Sequence, residues 1–400
     1  MTMLGTSRRS RPHFDKTLTL LVFTLATFGV LCVSIATFST SSEAEDTLLN
    51  YIVASYYGLR QAIFLLVSPV VIGVITYFPY EFIRRRSTLF YYAACLLLLI
   101  ALAGQATGVR AWIDVIWGYT LQPSEFVKLA CIIVTAKYLE RNSDPLGTWS
   151  GAFRIAALMA IPWALTLLQG EMGSVMVMIF VFGIMIYFGG ARLRTLGAII
   201  AVGAIAIAVL YTVTMASGTD NYRLTRILSF VNPALVDENA TYQVNNSKIA
   251  IGSGGANGVG MFVQGSFSQL DYVPEDWTDF IFSTIGEAFG FWGCLFVIVC
   301  YLLLIMRMLY LARFATDRFG QMIIIGVMAM MLFHVFENIG MTTGLMPVTG
   351  IPLPFLSYGG SNLVTNMAGI GLVLNVTKNR DIISAERLAP QTGATSKYYR

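Results

Sequence analysis

Ten apolar runs, each close to the roughly 20 residues that carry a helix across a bilayer, recur between Leu18 and Val376 of this 400-residue chain. They lie at approximately 17–38, 61–82, 88–105, 122–139, 152–168, 171–190, 195–216, 279–306, 321–343 and 361–377. Hydrocarbon offers no partner to backbone N–H and C=O groups, so such segments close their hydrogen bonds internally and are helical. The expected fold is all-α: a polytopic membrane protein of about ten transmembrane helices, with a large extracytoplasmic loop, about 217–278, between spans 7 and 8. Composition agrees, with 56% hydrophobic and 12% charged residues, and excludes a soluble enzyme. The organisation expected is a cytoplasmic N-terminal segment 1–16, a membrane domain 17–378 and a polar cytoplasmic tail 379–400. The first run follows Arg8, Arg9, Arg11 and Lys16 and has no small-residue cleavage site after it, so it reads as an anchor. Cys32, Cys95, Cys131, Cys294 and Cys300 all fall inside apolar runs and read as packing residues, with no disulfide framework or metal cluster.

Basic residues set the orientation. With the N-terminus cytoplasmic, the inner segments collect Arg84 to Arg86, Lys137, Arg141, Arg154, Arg192, Arg194, Arg307, Arg313 and Arg318, and the tail adds five more. All but six of the 26 basic residues are then inside, so both termini are expected in the cytoplasm. The net charge of +4 is a topology signal and implies no nucleic-acid partner. The exceptions are Arg60, Arg110, Lys128, Arg223, Arg226 and Lys248, all placed on the outer side.

Polar residues gather on that same side. Asp279 stands where the long loop re-enters the membrane, and two readings are open: a helix cap, which Thr278 or Asp279 suits, or a working carboxylate. The acidic company of Asp271, Glu275, Asp276 and Glu287 exceeds what a cap requires. Glu125 and Lys128, three apart, share a helix face and either lock two spans as an ion pair or touch substrate. Ala250 to Gly260, AIGSGGANGVG, can bring backbone N–H groups near an anion but lacks a phosphate-loop lysine, and ordinary turns are the commoner explanation. Pro347, Pro352 and Pro354 stop helix formation in Asn338 to Ser361, which reads as a re-entrant or surface loop lining a cavity. His334 and Glu337, just before it, read as buried hydrogen-bonding residues, since His13 is the only other histidine.

Four motifs in this order resemble the SEDS family (shape, elongation, division and sporulation) of RodA, FtsW and SpoVE proteins, over roughly residues 15 to 380. They are RAWIDVIWGYTLQPSEFVKLA from Arg110, KIAIGSGG from Lys248, VPEDWTDFIFSTIGEAFGFWG from Val273 and GLMPVTGIPLPFLSYGGS from Gly344 to Ser361. The segment from Asn338 looks more like RodA, the elongation type, than FtsW. The resemblance implies a ten-span peptidoglycan glycosyltransferase that polymerises lipid II at the outer face of the bacterial cytoplasmic membrane, working with a class B penicillin-binding protein. It also implies that Asp279 is the essential carboxylate of the TDFIF motif and that Glu125 and Lys128 match the Glu and Lys of QPSEFxK. Departures are Trp277 where His or Tyr is common, Gln169-Gly170-Glu171 for QPD, Gly286 to Gly290 as GEAFG for GEELG, and ANGVG where a lysine is usual.

That chemistry is an inverting displacement, which takes one general base and help for a departing pyrophosphate. Asp279 is the expected base. Arg110, Glu125, Lys128, Arg223, Arg226, Gln243, Lys248 and Ser361 are the candidate substrate-binding residues. Arginine suits phosphate through its bidentate fork, and a divalent cation, Mg or Mn, is the alternative source of positive charge, although no protein metal site is indicated. Competing readings are a division- or sporulation-type polymerase, a lipid II flippase and a non-catalytic scaffold.

Overall fold

The computed structural model describes residues 14–38, 47–104, 111–115, 120–142, 144–192, 194–195, 197 and 238–388. The helices are α1 (Lys16–Ala36), α2 (Leu48–Ala54), α3 (Tyr56–Tyr77), α4 (Tyr80–Gly104), α5 (Pro123–Arg141), α6 (Trp149–Gln169) and α7 (Met172–Phe188), followed by α8 (Glu238–Ser253), α9 (Ile281–Arg313), α10 (Arg318–Thr343) and α11 (Gly360–Leu388). A two-residue hairpin, β1 (Ile113–Asp114) with β2 (Thr120–Leu121), pairs Ile113 with Leu121 just before α5. Among the described residues, α1, α3, α4, α6, α9 and α10 are long and apolar enough to cross a membrane, and α7 is a shorter apolar helix. Helices α5 and α11 match the expected runs 122–139 and 361–377 but carry more charge or extend into polar sequence. The expected run 195–216 lies outside the described residues.

Local chemistry explains the boundaries. Asp15 caps α1 by accepting from Leu18 N at 2.8 Å, Ser55 caps α3 through Gly58 N at 2.9 Å, and Asp317 caps α10 through Gly320 N at 2.9 Å. Gly170, at φ 95°, ends α6 and makes the tight turn into α7. The second expected run, 61–82, is cut at Phe78, which is extended before Pro79, so α3 begins and ends about five residues early. Helix α11 continues past the boundary expected at 378, to Leu388.

Helix α10 is the axis of the bundle and packs against α5, α7, α9 and α11. In lipid, helices associate through close contact and polar bonds rather than through expulsion of water. The segment 345–359 uses both. It leaves α10 at Gly344, dips into the bundle and buries Ile351, Leu353, Phe355 and Leu356. Gly29 of α1 admits it: a Cβ there would stand 2.3 Å from Phe355 O. Its irregular backbone is bonded by protein, through Gln61 Nε2 to Ser357 O at 3.1 Å, Leu353 N to Ser357 Oγ at 2.8 Å, and Tyr301 Oη to Pro354 O.

A kink in α9 is treated the same way. Gly290 is non-helical at φ 63°, ψ −156°, and the peptide groups released there bond to the ribbon that follows α8. Val259 N and Gly260 N donate to Glu287 O and Ala288 O at 2.9 and 3.2 Å, while Phe291 N donates to Gly255 O at 2.9 Å. The glycines permit this approach, since a Cβ on Gly258 would lie 2.2 Å from Ala288 O. The Gly-rich stretch 250–260 therefore serves as a backbone patch on a broken helix.

Candidate active site

Residues Glu275 to Phe280 coil into one tight turn, with Thr278 N and Phe280 N both donating to Glu275 O at 3.1 Å. The turn is stitched to the re-entrant segment: Tyr358 N donates to Trp277 O at 2.9 Å and Ser357 Oγ to Thr278 O at 2.5 Å. Asn338 of α10 donates through Nδ2 to Asp279 O at 2.7 Å and Ile351 O at 2.8 Å. This framework holds the Asp279 carboxylate beside Gly350, where a Cβ would come within 3.1 Å of Oδ2. The N-cap of α9 is Phe280, with no side-chain capping bond, and Asp279 stands one residue before it.

Asp279 opens into a cavity of about 340 Å³. Glu275, Thr278, Glu125, Lys128, Ser361 and Arg60 line it too, with the aromatic rings of Phe64, Trp112 and Tyr358. Lys128 and Glu125 meet at 2.8 Å in a buried pair, and Lys128 Nζ also lies 3.0 Å from His334 Nε2, whose Nδ1 is 2.7 Å from Met330 O. An ammonium only donates, so Nε2 is the acceptor and Nδ1–H donates to Met330 O. Ser361 Oγ accepts from Gln122 N at 3.1 Å and donates to Thr120 O at 3.4 Å, tying the hairpin to the start of α11. Gln122 Nε2 reaches Glu171 Oε1 at 2.6 Å, which gives the departing QGE turn a positioning contact.

The other acidic residues of the loop have separate work. Glu287 accepts from Phe267 N at 2.6 Å, Ser268 N at 3.0 Å and Ser268 Oγ at 2.8 Å, pinning the loop onto α9. Asp276 is buried and accepts from Thr284 Oγ1 at 3.2 Å. Burial pushes its carboxyl well above the ordinary range, with the Asp271 and Glu287 charges adding to the rise.

The candidates thus separate. Asp279, Glu125, Lys128 and Ser361 converge on one cavity. Gln243 and Lys248 sit outside its lining on α8: Gln243 Nε2 bonds to Pro274 O at 3.5 Å and Lys248 lies beside Gly344 at the end of α10. Arg110, Arg223 and Arg226 lie outside the described residues. Arg60 is one of the six outer-side exceptions that the basic-residue pattern marks as candidates for function, though not among the expected substrate-binding residues; α3 delivers it to the cavity, with its guanidinium 4.2 Å from the Tyr56 ring centre. Among the described residues no three His, Cys, Asp or Glu side chains gather in a metal-holding group. Magnesium can bind through one or two carboxylates and substrate phosphates; the cavity is lined by Glu275 and Asp279 besides Glu125, which is paired with Lys128.

The chain matches, over residues 16–382, the family model of FtsW, RodA and SpoVE, described as cell cycle proteins. It belongs to the SEDS family. This member is 33% identical to a probable peptidoglycan glycosyltransferase FtsW of Trichlorobacter lovleyi over 96% of this chain and 97% of that protein. It is 34% identical to the peptidoglycan glycosyltransferase MrdB of Escherichia coli over 74% of this chain and 79% of that one. Among solved structures it resembles a chain from work on coordinated polymerization and crosslinking by a peptidoglycan synthase complex (TM-score 0.72, 27% identity, 92% of this chain and 98% of that one). It also resembles the rod shape determining protein RodA of Thermus thermophilus (TM-score 0.64, 26% identity, 92% and 97% covered). In this SEDS chain three motifs distant in sequence, QPSEFVK, TDFIF and LSYGGS, meet at the one cavity.

Proposed function

We infer that this protein is a peptidoglycan glycosyltransferase that polymerises lipid II at the outer face of the bacterial cytoplasmic membrane, with both termini cytoplasmic and a class B penicillin-binding protein as partner. The observation that carries the mechanism is that the Asp279 carboxylate shares its cavity with two cations, Lys128 and Arg60. Asp279 takes the proton of the acceptor sugar's 4-hydroxyl as that oxygen attacks the anomeric carbon of the donor. The bond from that carbon to the pyrophosphate oxygen breaks, the α-linked donor becomes a β-1,4 link, and undecaprenyl pyrophosphate departs. Arg60 and Lys128 stabilise the charge that develops on the leaving group. Glu275 and Asp279 would hold Mg or Mn if one binds, and the ion would supply positive charge for the pyrophosphate.

The RodA-like segment from Asn338 supports service in cell elongation and rod shape. The FtsW relative, matched over nearly its whole length, supports a division-type polymerase as the second reading. Polymerisation of purified lipid II by the reconstituted protein and its penicillin-binding partner, with a moenomycin-treated sample, tests the activity. Wild type should form glycan and folded Asp279→Asn should form none. A mutant that polymerises normally would overturn the base assignment and favour a flippase or scaffold.

A further inference from the structure

We propose that His334 is a positioning residue for glycosyl transfer, acting from behind the cavity on the Lys128 ammonium. The inference rests on the transferase reading of the site. His334 belongs to α10 and Lys128 to α5; the two are 206 residues apart in sequence and 3.0 Å apart in space. His334 and Lys128 are both buried, yet only Lys128 lines the cavity.

An ammonium has three N–H bonds spread tetrahedrally. Glu125 Oε1 engages one at 2.8 Å and His334 Nε2 a second at 3.0 Å. Glu125 lines the cavity beside Lys128 whereas His334 does not, so the bond to His334 anchors the ammonium from behind and leaves its third N–H for the cavity shared with Asp279. The imidazole is itself held, because Nδ1 is tied to Met330 O at 2.7 Å, one turn back on the same helix. This bond fixes the tautomer that leaves Nε2 able to accept. Without that acceptor the ammonium turns toward Glu125 and spends a second N–H on the same carboxylate, withdrawing from the substrate. Glu125 supplies the charge balance, and His334 supplies the direction.

The test is steady-state glycan polymerisation by the full chain with its penicillin-binding partner, comparing His334→Gln, His334→Asn and His334→Leu, each with thermal melting and size-exclusion profiles. Gln can place its carbonyl oxygen near Nε2, so His334→Gln should keep kcat within about threefold of wild type. Asn is too short and Leu has no acceptor. Both should lower kcat by about 10- to 100-fold, the range for a lost hydrogen bond to a charged group, with KM changed less. The Asn variant keeps a polar group in the site and decides the matter if the Leu variant does not fold. The proposal is overturned if the Asn or Leu variant polymerises within about threefold of wild type, if Gln loses as much as Asn, or if every loss simply tracks the folded fraction. Wild-type polymerisation reports on the transferase reading independently, whereas the ranking of variants reports on His334.

Discussion

Lys128→Met separates the two roles that a buried ion pair can have. Glu125 and Lys128 are each only 2% exposed and meet at 2.8 Å. Two unit charges about 4 Å apart attract by about 4 kcal/mol at an effective dielectric near 20, and stripping water from each ion costs several kcal/mol in return. The intact pair is therefore close to neutral against an apolar pair of the same volume, whereas removing one partner strands the other and costs about 3–5 kcal/mol. For cooperative unfolding of a chain this long, that corresponds to a fall in melting temperature of about 4–6 °C. The double variant Glu125→Met/Lys128→Met should recover most of the loss, short of the small cost of leaving His334 Nε2 without its donor. Glycan polymerisation should stay abolished in both variants, because the ammonium in the cavity is gone. Thermal melting of detergent-purified protein, followed alongside lipid II polymerisation, reads both effects. Wild-type melting in Lys128→Met would refute the energetic argument, and polymerisation regained by the double variant would show that the pair only locks α5 in place.

Two further outcomes follow from the loop between α8 and α9. Gly258 and Gly265 have nearly equal positive φ, 81° and 82°, but only Gly258 has a backbone oxygen where its Cβ would go. Gly265→Ala should cost about 1–2 kcal/mol of left-handed strain and still give monodisperse protein, whereas Gly258→Ala should forfeit folded yield on size exclusion; equal behaviour would contradict the patched-kink account. For Asp276, whose carboxyl burial pushes up, the folded state keeps a proton that the unfolded chain gives up near pH 4. Its favourable contribution is complete below that pH and is lost as pH rises through the raised folded value. Melting curves from about pH 4 to about pH 9 should show Asp276→Asn gaining on wild type as pH increases; a constant difference would mean that Asp276 titrates normally.

Much of this protein was legible one segment at a time. Span lengths depend on the thickness of hydrocarbon, and the helices α1, α9 and α10 fall close to the apolar runs because nothing but a helix satisfies their backbone there. The i,i+3 pairing of Glu125 and Lys128 is likewise local, set by the helical repeat. Asp279 stood out because a carboxylate at a membrane boundary is costly, and the fold places the N-cap of α9 one residue further on, at Phe280.

Tertiary structure decided which of the charges expected on the outer side meet. Arg60 and Lys248 carry the same signal in sequence, a cation away from the cytoplasmic segments, yet α3 turns Arg60 into the cavity and α8 carries Lys248 to the end of α10. The acidic cluster divided for the same reason, with Glu287 and Asp276 hydrogen-bonded between the loop and α9 and Glu275 and Asp279 lining the cavity. Apolar periodicity reports only that a helix lies in lipid; in α10, buried nearly all round, it gives no face to aim by. The neighbours of His334 follow from helix packing, and packing in a membrane is chosen by close backbone approach and polar contact between distant segments, which no single stretch of sequence contains.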